Sequence, residues 1–276
     1  MRKLRISAIS YLNTAPLMWD FEHGTAASHF EISYTIPSGC ARALAEGTAD
    51  IGIIPAAAYT QIPGLEILPD IAIASRRAVR SILLLSKVPL EQVRSVALDS
   101  SSMTSVALTK ILLKWRGLEP EYSSMPPHIE DMLVQHDACL VIGDPALQLD
   151  QTRYYSMDLA EEWIRTTAKP FVFAFWAVRR EALKEADPAL DLASVFRDSR
   201  DHGLQPANLS KIVSEWSAKL NLSAGHVQSY LTQNIQYSLD PECIEGLQLF
   251  YRYATQVEAL PDAPELHFLE PVKSIS

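Results

Sequence analysis

At 276 residues the chain is long enough for one large domain or two moderate ones. Its 48% hydrophobic and 21% charged residues are ordinary for a globular protein, and the net charge of −9 argues against general binding of nucleic acid or anionic membranes. That charge still permits a small anionic ligand, because a pocket can hold one with local backbone dipoles.

The start, Met1-Arg2-Lys3-Leu4, is basic, but Arg5, Ser7 and Ser10 interrupt any apolar run of signal-peptide length. No later run is long enough to span a bilayer, so a cytoplasmic protein is expected. Leu4 to Ile9 alternates like a strand. Ser10, Tyr11, Asn13 and Thr14 follow: two hydroxyls, a phenol and a carboxamide within five positions. Pro16 predicts the first turn of a helix, with Asn13 or Thr14 able to cap it. A strand would then deliver uncharged hydrogen-bonding groups to a helix mouth, where free N–H groups suit an anion. A plain N-cap explains the same residues.

Glu31 to Ile36 reads as a second strand, and Pro37-Ser38-Gly39 opens a helix that stops near Gly47. Ser38 is a weaker hydroxyl at a helix start. Asp50 to Ile54 is almost wholly apolar, as in a strand buried on both faces, and Pro55 begins another helix. Ile67 to Ala74 and Val79 to Leu85 are two more strands. Alternation of strands and helices predicts crossover units and a largely parallel sheet. No Gly-x-Gly-x-x-Gly or Walker loop occurs. Arg76, Arg77 and Arg80 would either lend charge to a cleft or form a solvated turn. Ser81, among Ile82 to Leu85, reads by itself as an ordinary strand serine.

A second unit begins after Lys87-Val88-Pro89. Arg94 to Leu98 is a strand, and Ser102, Thr104 and Ser105 precede a helix carrying Val106, Leu108, Ile111, Leu112 and Trp115, ended by Gly117. Three hydroxyls at a helix start make a carboxylate or phosphate cradle, or simple capping. Glu121 to Ser124, the short helix Pro127 to Val134 and the buried strand Ala138 to Ile142 follow. Gly143-Asp144-Pro145 turns that strand into a helix; Asp144 would receive a substrate hydroxyl or cap the helix. After a helix from Asp158 to about Thr167, Phe171 to Val178 is a strongly apolar strand. From Glu181 to about Leu260 the pattern is helical, broken near Gly203 to Pro206, Asn221 to Gly225 and Asp240-Pro241, and the tail Pro261 to Ser276 should wrap the surface.

Two α/β units with a helical return imply a chain that crosses between lobes twice, near Ser86 to Glu91 and near Ala168 to Trp176. Residues 1–88 with 175–276 would form one lobe and 89–174 the other, with a ligand cleft between them. Cys40, Cys139 and Cys243 lack paired spacing, so neither a disulfide framework nor a zinc site is expected, and a reducing compartment fits. His128 with Glu130 and Asp131 has no second histidine nearby, and no Gly-x-Ser-x-Gly elbow supports a hydrolase. No metal or cofactor is expected, and oligomeric state is not encoded in any feature of the sequence.

Taken together, Ile9-Ser10-Tyr11-Leu12-Asn13-Thr14-Ala15-Pro16-Leu17, Asp50-Ile51-Gly52-Ile53-Ile54-Pro55, Ser102-Met103-Thr104-Ser105 and Phe171-Val172-Phe173-Ala174-Phe175-Trp176 resemble the chorismate dehydratase family of the futalosine route to menaquinone. Met103 stands where that family commonly has a polar residue, and Arg76-Arg77 where smaller ones are usual. The resemblance implies an α/β, two-lobed fold like that of type II periplasmic solute-binding proteins, with mixed, mostly parallel sheets. It implies chorismate as substrate and 3-[(1-carboxyvinyl)oxy]benzoate as product, without a cofactor. It also implies Asn13 and Ser81 as catalytic residues, and a substrate-binding set of Ser10, Tyr11, Thr14, Ser38, Pro55, Ser102, Thr104, Ser105, Gly143 and Asp144. No Glu or His falls in the matching motifs, leaving the substrate's own enolpyruvyl carboxylate as a possible base. Two rivals remain at this level: a dihydroxynaphthoate synthase of the same pathway, and a non-catalytic binding protein for a small carboxylate.

Overall fold

The computed structural model describes all residues except Met1, Thr25, Ala189 and 271–276. Among the described residues, ten strands form two five-stranded sheets. The first contains β1 (Leu4–Ile9), β2 (Phe30–Thr35), β3 (Ile51–Pro55), β4 (Leu65–Ser75) and, from much later in the chain, β10 (Phe171–Arg179). The second contains β5 (Ile82–Ser86), β6 (Ser95–Asp99), β7 (Glu121–Met125), β8 (Ala138–Ile142) and β9 (Tyr155–Asp158). Their orders, β2-β1-β3-β10-β4 and β7-β6-β8-β5-β9, repeat one plan. Three strands run parallel, as helical crossovers demand, and the strand arriving from the other half of the chain inserts antiparallel between its two neighbours.

This plan corrects the first expected crossing. The strand starting at Ile82 pairs with β8 and β9, so it belongs to the second sheet. The chain therefore crosses between Ser75 and Ile82, through the arginine-bearing turn, and not near Ser86 to Glu91. An unbroken apolar run cannot reveal which sheet it joins, because it is buried on both faces in either one. The return crossing falls between the helix Leu159–Thr167 and β10, inside the expected stretch. Ser81 lies one residue before β5, in the crossing itself.

The segment after β1 also differs from expectation. Leu12–Met18 is a 3-10 helix with Pro16 inside it, followed by a short α-helix, Trp19–His23. Neither Asn13 nor Thr14 caps an α-helix. The tight turn closes instead through Thr14 N–H donating to Tyr11 O at 3.0 Å. The helix Leu192–Leu204 clamps this segment: Ser199 Oγ donates to Leu17 O at 2.8 Å and accepts from Asp20 N at 3.0 Å. A Cβ on Gly203 would fall 2.1 Å from Pro16 O, so the two backbones touch directly.

The three breaks expected in the helical region are present, and a further one separates the helix Arg180–Leu183 from the helix Leu192–Leu204. Pro206 starts the helix Pro206–Leu220, Asn221 ends it with φ of 54°, and Asp240 caps Pro241–Gln256 by accepting from Cys243 N. Trp115, Trp163, Phe171 and Phe250 form an aromatic cluster joining this last helix to β10 and to the helix Leu159–Thr167. In the tail, Ile67 N donates to His267 O and Leu269 N to Ile67 O, both at 2.8 Å, so the chain lies along β4; its residues past 270 fall outside those described.

Candidate active site

Where the two sheets face each other lies a partly open cavity of about 60 Å³, well below the roughly 300–1,000 Å³ of small-molecule sites, so a ligand must part its walls. Its apolar surface comes from Ile9, Ile73, Ile82, Ile142 and Phe173, and its polar groups from Tyr11, Asn13, Ser81, Ser102, Thr104 and Ser105. No Lys, Arg, Asp, Glu or His is among its lining residues. Any anion held here is held by hydroxyls, an amide and backbone dipoles.

Of the twelve residues put forward from the sequence, Asn13, Ser81, Tyr11, Pro55, Ser102, Thr104, Ser105 and Gly143 line this space. The other four stand elsewhere, for identifiable reasons. Ser10 is exposed, and with Thr14 it lines a separate outer depression on the far side of Tyr11. The buried Thr14 turns its hydroxyl to Asn13 Oδ1, at 3.3 Å. Ser38 is drawn to the second half of the molecule by its backbone, its N–H donating to Ser101 O at 3.1 Å. Asp144 neither meets the cavity nor caps a helix with its side chain: its Oδ1 accepts from Leu12 N–H at 3.0 Å, joining the turn after β1 to the turn after β8. Burial pushes its carboxyl up to about 6, against the opposing pull of the Leu12 N–H and, more weakly, Lys219.

Tyr11 forms one wall. Its ring packs on Gly143, whose φ of +69° and missing Cβ are both needed: a Cβ there would lie 2.6 Å from Tyr11 Cε2. Its phenol lies near Ser101 and is raised above its ordinary value by burial and by nearby Asp99. Asp99 in turn fixes the serine loop, its Oδ1 accepting from Ser101 N at 2.8 Å and from Ser101 Oγ at 2.7 Å.

The opposite wall is the N-terminus of the helix Thr104–Trp115. No side chain caps this helix, so the N–H groups of its first turn are available to a ligand. Among the described residues, the Ser102 and Ser105 hydroxyls have no hydrogen-bond partner. Thr104 does: its Oγ1 accepts from Ala57 N at 3.1 Å and donates to Phe173 O at 3.0 Å. Phe173 O is freed for this by a register shift between Val172 and Ala174 in the β10–β4 pairing. Thr104 therefore ties the helix to the first sheet, and its donor is already used.

Ser81 is buried, 1% exposed, in the crossing one residue before β5. Its carbonyl accepts from Gly143 N at 2.8 Å, and its Oγ accepts from the phenol of Tyr230 at 2.8 Å. Tyr230 stood in no motif; in the sequence it is one more apolar position in a helical stretch. Arg76 turns away from the cavity to pair with Asp240 and Glu242, which settles the arginine turn as a surface feature. Among the described residues, no three His, Cys, Asp or Glu side chains gather as a metal site would need, and no helix is long and apolar enough to cross a membrane.

The sequence model of a family described as menaquinone biosynthesis matches residues 4–256. A chorismate dehydratase of Thermus thermophilus is 30% identical over 96% of this chain and 98% of its own length. A protein of Archaeoglobus fulgidus has the same fold at a TM-score of 0.74, with 16% identity over 94% of this chain and 98% of its own. The alkanesulfonate-binding protein of Xanthomonas axonopodis, solved with MOPS, superposes at 0.70 with 16% identity over 95% of both chains. At that identity these two structures speak for the fold alone.

Proposed function

The chain belongs to the menaquinone-biosynthesis family, and from that membership together with the cavity we propose its reaction and the residues that perform it. It is a chorismate dehydratase, a hydro-lyase that removes water from chorismate to give 3-[(1-carboxyvinyl)oxy]benzoate. Chorismate is a dianion whose ring hydroxyl sits beside the carbon bearing the enolpyruvyl ether. That carbon loses its proton, its C–H electron pair becomes a ring double bond, and the C–O bond to the hydroxyl breaks. Proton and hydroxide leave together as water, and the ring becomes aromatic. Much of the driving force is thus in the substrate, and the protein's task is to hold one conformer, keep out solvent and stabilise developing charge.

The carrying observation is the cavity lining: uncharged donors on both walls, with one uncapped helix N-terminus. We assign a substrate carboxylate to that terminus, with the Ser102 and Ser105 hydroxyls. Asn13 and Ser81, on the other wall, meet the reacting ring. The absence of a lining Glu or His supports the enolpyruvyl carboxylate as the base. Three buried, unpaired cysteines support a cytoplasmic setting for this reading. The bonds across the cavity from Leu12 to Asp144, from Ser38 to Ser101 and from Ala57 to Thr104 must part to admit substrate, which assigns hinge roles to residues 76–81 and 168–170.

The test is to mix purified protein with chorismate and follow ultraviolet absorbance and mass. Loss of one water with no added cofactor is the expected result. Tight binding with chorismate recovered unchanged would make this a binding protein instead.

A further inference from the structure

Three residues far apart in the chain meet at one point: Asn13 after β1, Ser81 in the crossing segment and Tyr230 in the C-terminal helical region. Tyr230 is 1% exposed and opens a single π-helical turn, Tyr230–Asn234, that follows the helix Ala224–Ser229. Such turns are uncommon and recur at functional sites. This one is pinned to the crossing segment. Asn234 O accepts from Ser75 Oγ, Asn234 Nδ2 donates to Ala78 O, each at 2.8 Å, and Gln236 exchanges backbone bonds with Ala74. The π turn thereby places the phenol beside Ser81.

The hydrogen bonds at this point have one direction. Thr14 Oγ1 donates to Asn13 Oδ1, which leaves the Asn13 amide N–H groups for its other contacts. The Asn13 amide lies near the Tyr230 phenol, and its donor eases the upward push of burial on that group. Tyr230 Oη then donates to Ser81 Oγ at 2.8 Å. Burial pushes the phenol above its ordinary value, so it keeps the proton it donates. Ser81 Oγ thus spends a lone pair on Tyr230, while its own proton is left to point into the cavity that Ser81 lines.

We propose that Tyr230 is a positioning residue for the dehydration, setting Ser81 as a hydrogen-bond donor to the leaving hydroxyl of the substrate. The inference rests on the chorismate dehydratase reading and adds a residue and a polarity to it. The polarity matters chemically. As the C–O bond breaks, negative charge builds on the departing oxygen, and a donor there stabilises it whereas an acceptor would repel it. Without the phenol, Ser81 can rotate its proton away and present a lone pair to that oxygen.

The test is single-turnover kinetics on chorismate with Tyr230→Phe, Ser81→Ala and the double variant. Tyr230→Phe keeps the ring, and should lower the rate about tenfold, the worth of one well-aligned hydrogen bond, with KM changed by less than about twofold. Ser81→Ala should fall further, and the double variant should be no slower than Ser81→Ala, because Tyr230 acts through Ser81. A wild-type rate in Tyr230→Phe, or losses that multiply in the double variant, would overturn the proposal. Should Tyr230→Phe fail to fold, Thr14→Val tests the far end of the chain of donors: freeing the Asn13 amide to turn over should cost several-fold in kcat at unchanged KM. An unchanged kcat there counts against the proposal. A wild-type protein that leaves chorismate intact defeats the functional reading itself, whereas turnover unaffected by the variants defeats only the role of Tyr230.

Discussion

The two walls of the cavity are built on different physics. On one, Thr14 is bonded to Asn13 and Tyr230 to Ser81, with the Asn13 amide beside the phenol, so that each side chain's orientation is set by its neighbour. On the other, Ser102 and Ser105 stand at an uncapped helix start, and their hydroxyls are bonded, among the described residues, to no neighbour. A wall of mutually oriented groups suits a task with strict geometry, such as meeting a breaking bond. A helix terminus with free hydroxyls suits a charged group whose exact orientation matters less. The difference predicts that variants on the first wall lower kcat and variants on the second raise KM.

The largest effect should come from Asn13→Asp. The carboxylate still accepts from Thr14, so the melting temperature should stay within a few degrees. It cannot donate to Tyr230, and it sets a negative charge against a dianion. Turnover of chorismate should fall on the order of a hundredfold or more. A stable and fully active variant would remove the contrast between the walls.

Thr104→Val probes a residue that belongs to the second wall by position but not by task. Its hydroxyl serves Ala57 N and Phe173 O, both backbone groups of the first sheet and its margin. The variant leaves both unpaired and should lose about 2–4 kcal/mol of stability by denaturant titration. Its KM and kcat, measured well below the melting temperature, should change little. A raised KM with intact stability would return Thr104 to the ligand-holding set.

Asp144→Asn separates the walls from the bonds that close them over the cavity. Burial holds the Asp144 carboxyl at about 6 in the folded protein, against an ordinary value near 4 in the unfolded chain. The folded form therefore binds this proton more tightly. The stability it contributes is full below about pH 4 and is lost as pH rises through about 6. At pH 7 the ionised group should cost at most about 3 kcal/mol relative to its neutral form. An asparagine oxygen still accepts from Leu12 N–H without that cost. The variant should melt higher than the wild type at pH 7.5, with the gap closing toward pH 4. A gap independent of pH would mean that the carboxylate is not the source.

Much of this was legible in the sequence because it was local. The polar segment after β1, the helix start at Thr104 and the glycine at 143 sit next to strands whose apolar patterns announce them. Breaks at Pro206, Asn221 and Asp240 were legible for the same reason, since each is a residue with its own backbone preference. What was hidden depends on partners distant in the chain. The sheet that Ile82–Ser86 joins is decided by β8 and β9, more than fifty residues on. The engagement of Asp144 is decided by Leu12. Tyr230 was invisible because a tyrosine in an amphipathic helical stretch looks like core, and only the π turn aims its phenol at Ser81. The one available signal was indirect: a serine on a buried apolar strand requires a hydrogen-bond partner, and that partner had to come from elsewhere.

The smallest expected effect tests the second wall most directly. Ser102→Ala and Ser105→Ala each remove one hydroxyl from a site where the helix N–H groups remain. If those hydroxyls share a substrate carboxylate with the helix terminus, each loss should raise KM by a few-fold, the worth of a single hydrogen bond to a charged group partly replaced by its neighbours. The bond is made equally in the ground state and in the transition state, so kcat should be kept. The pair together should exceed either alone, since both then leave the same carboxylate. Neither substitution should lower stability by more than a few tenths of a kcal/mol, because neither hydroxyl holds another part of the protein. If instead either variant loses kcat at unchanged KM, that serine acts on the breaking bond, and the division of work between the two walls fails at that residue.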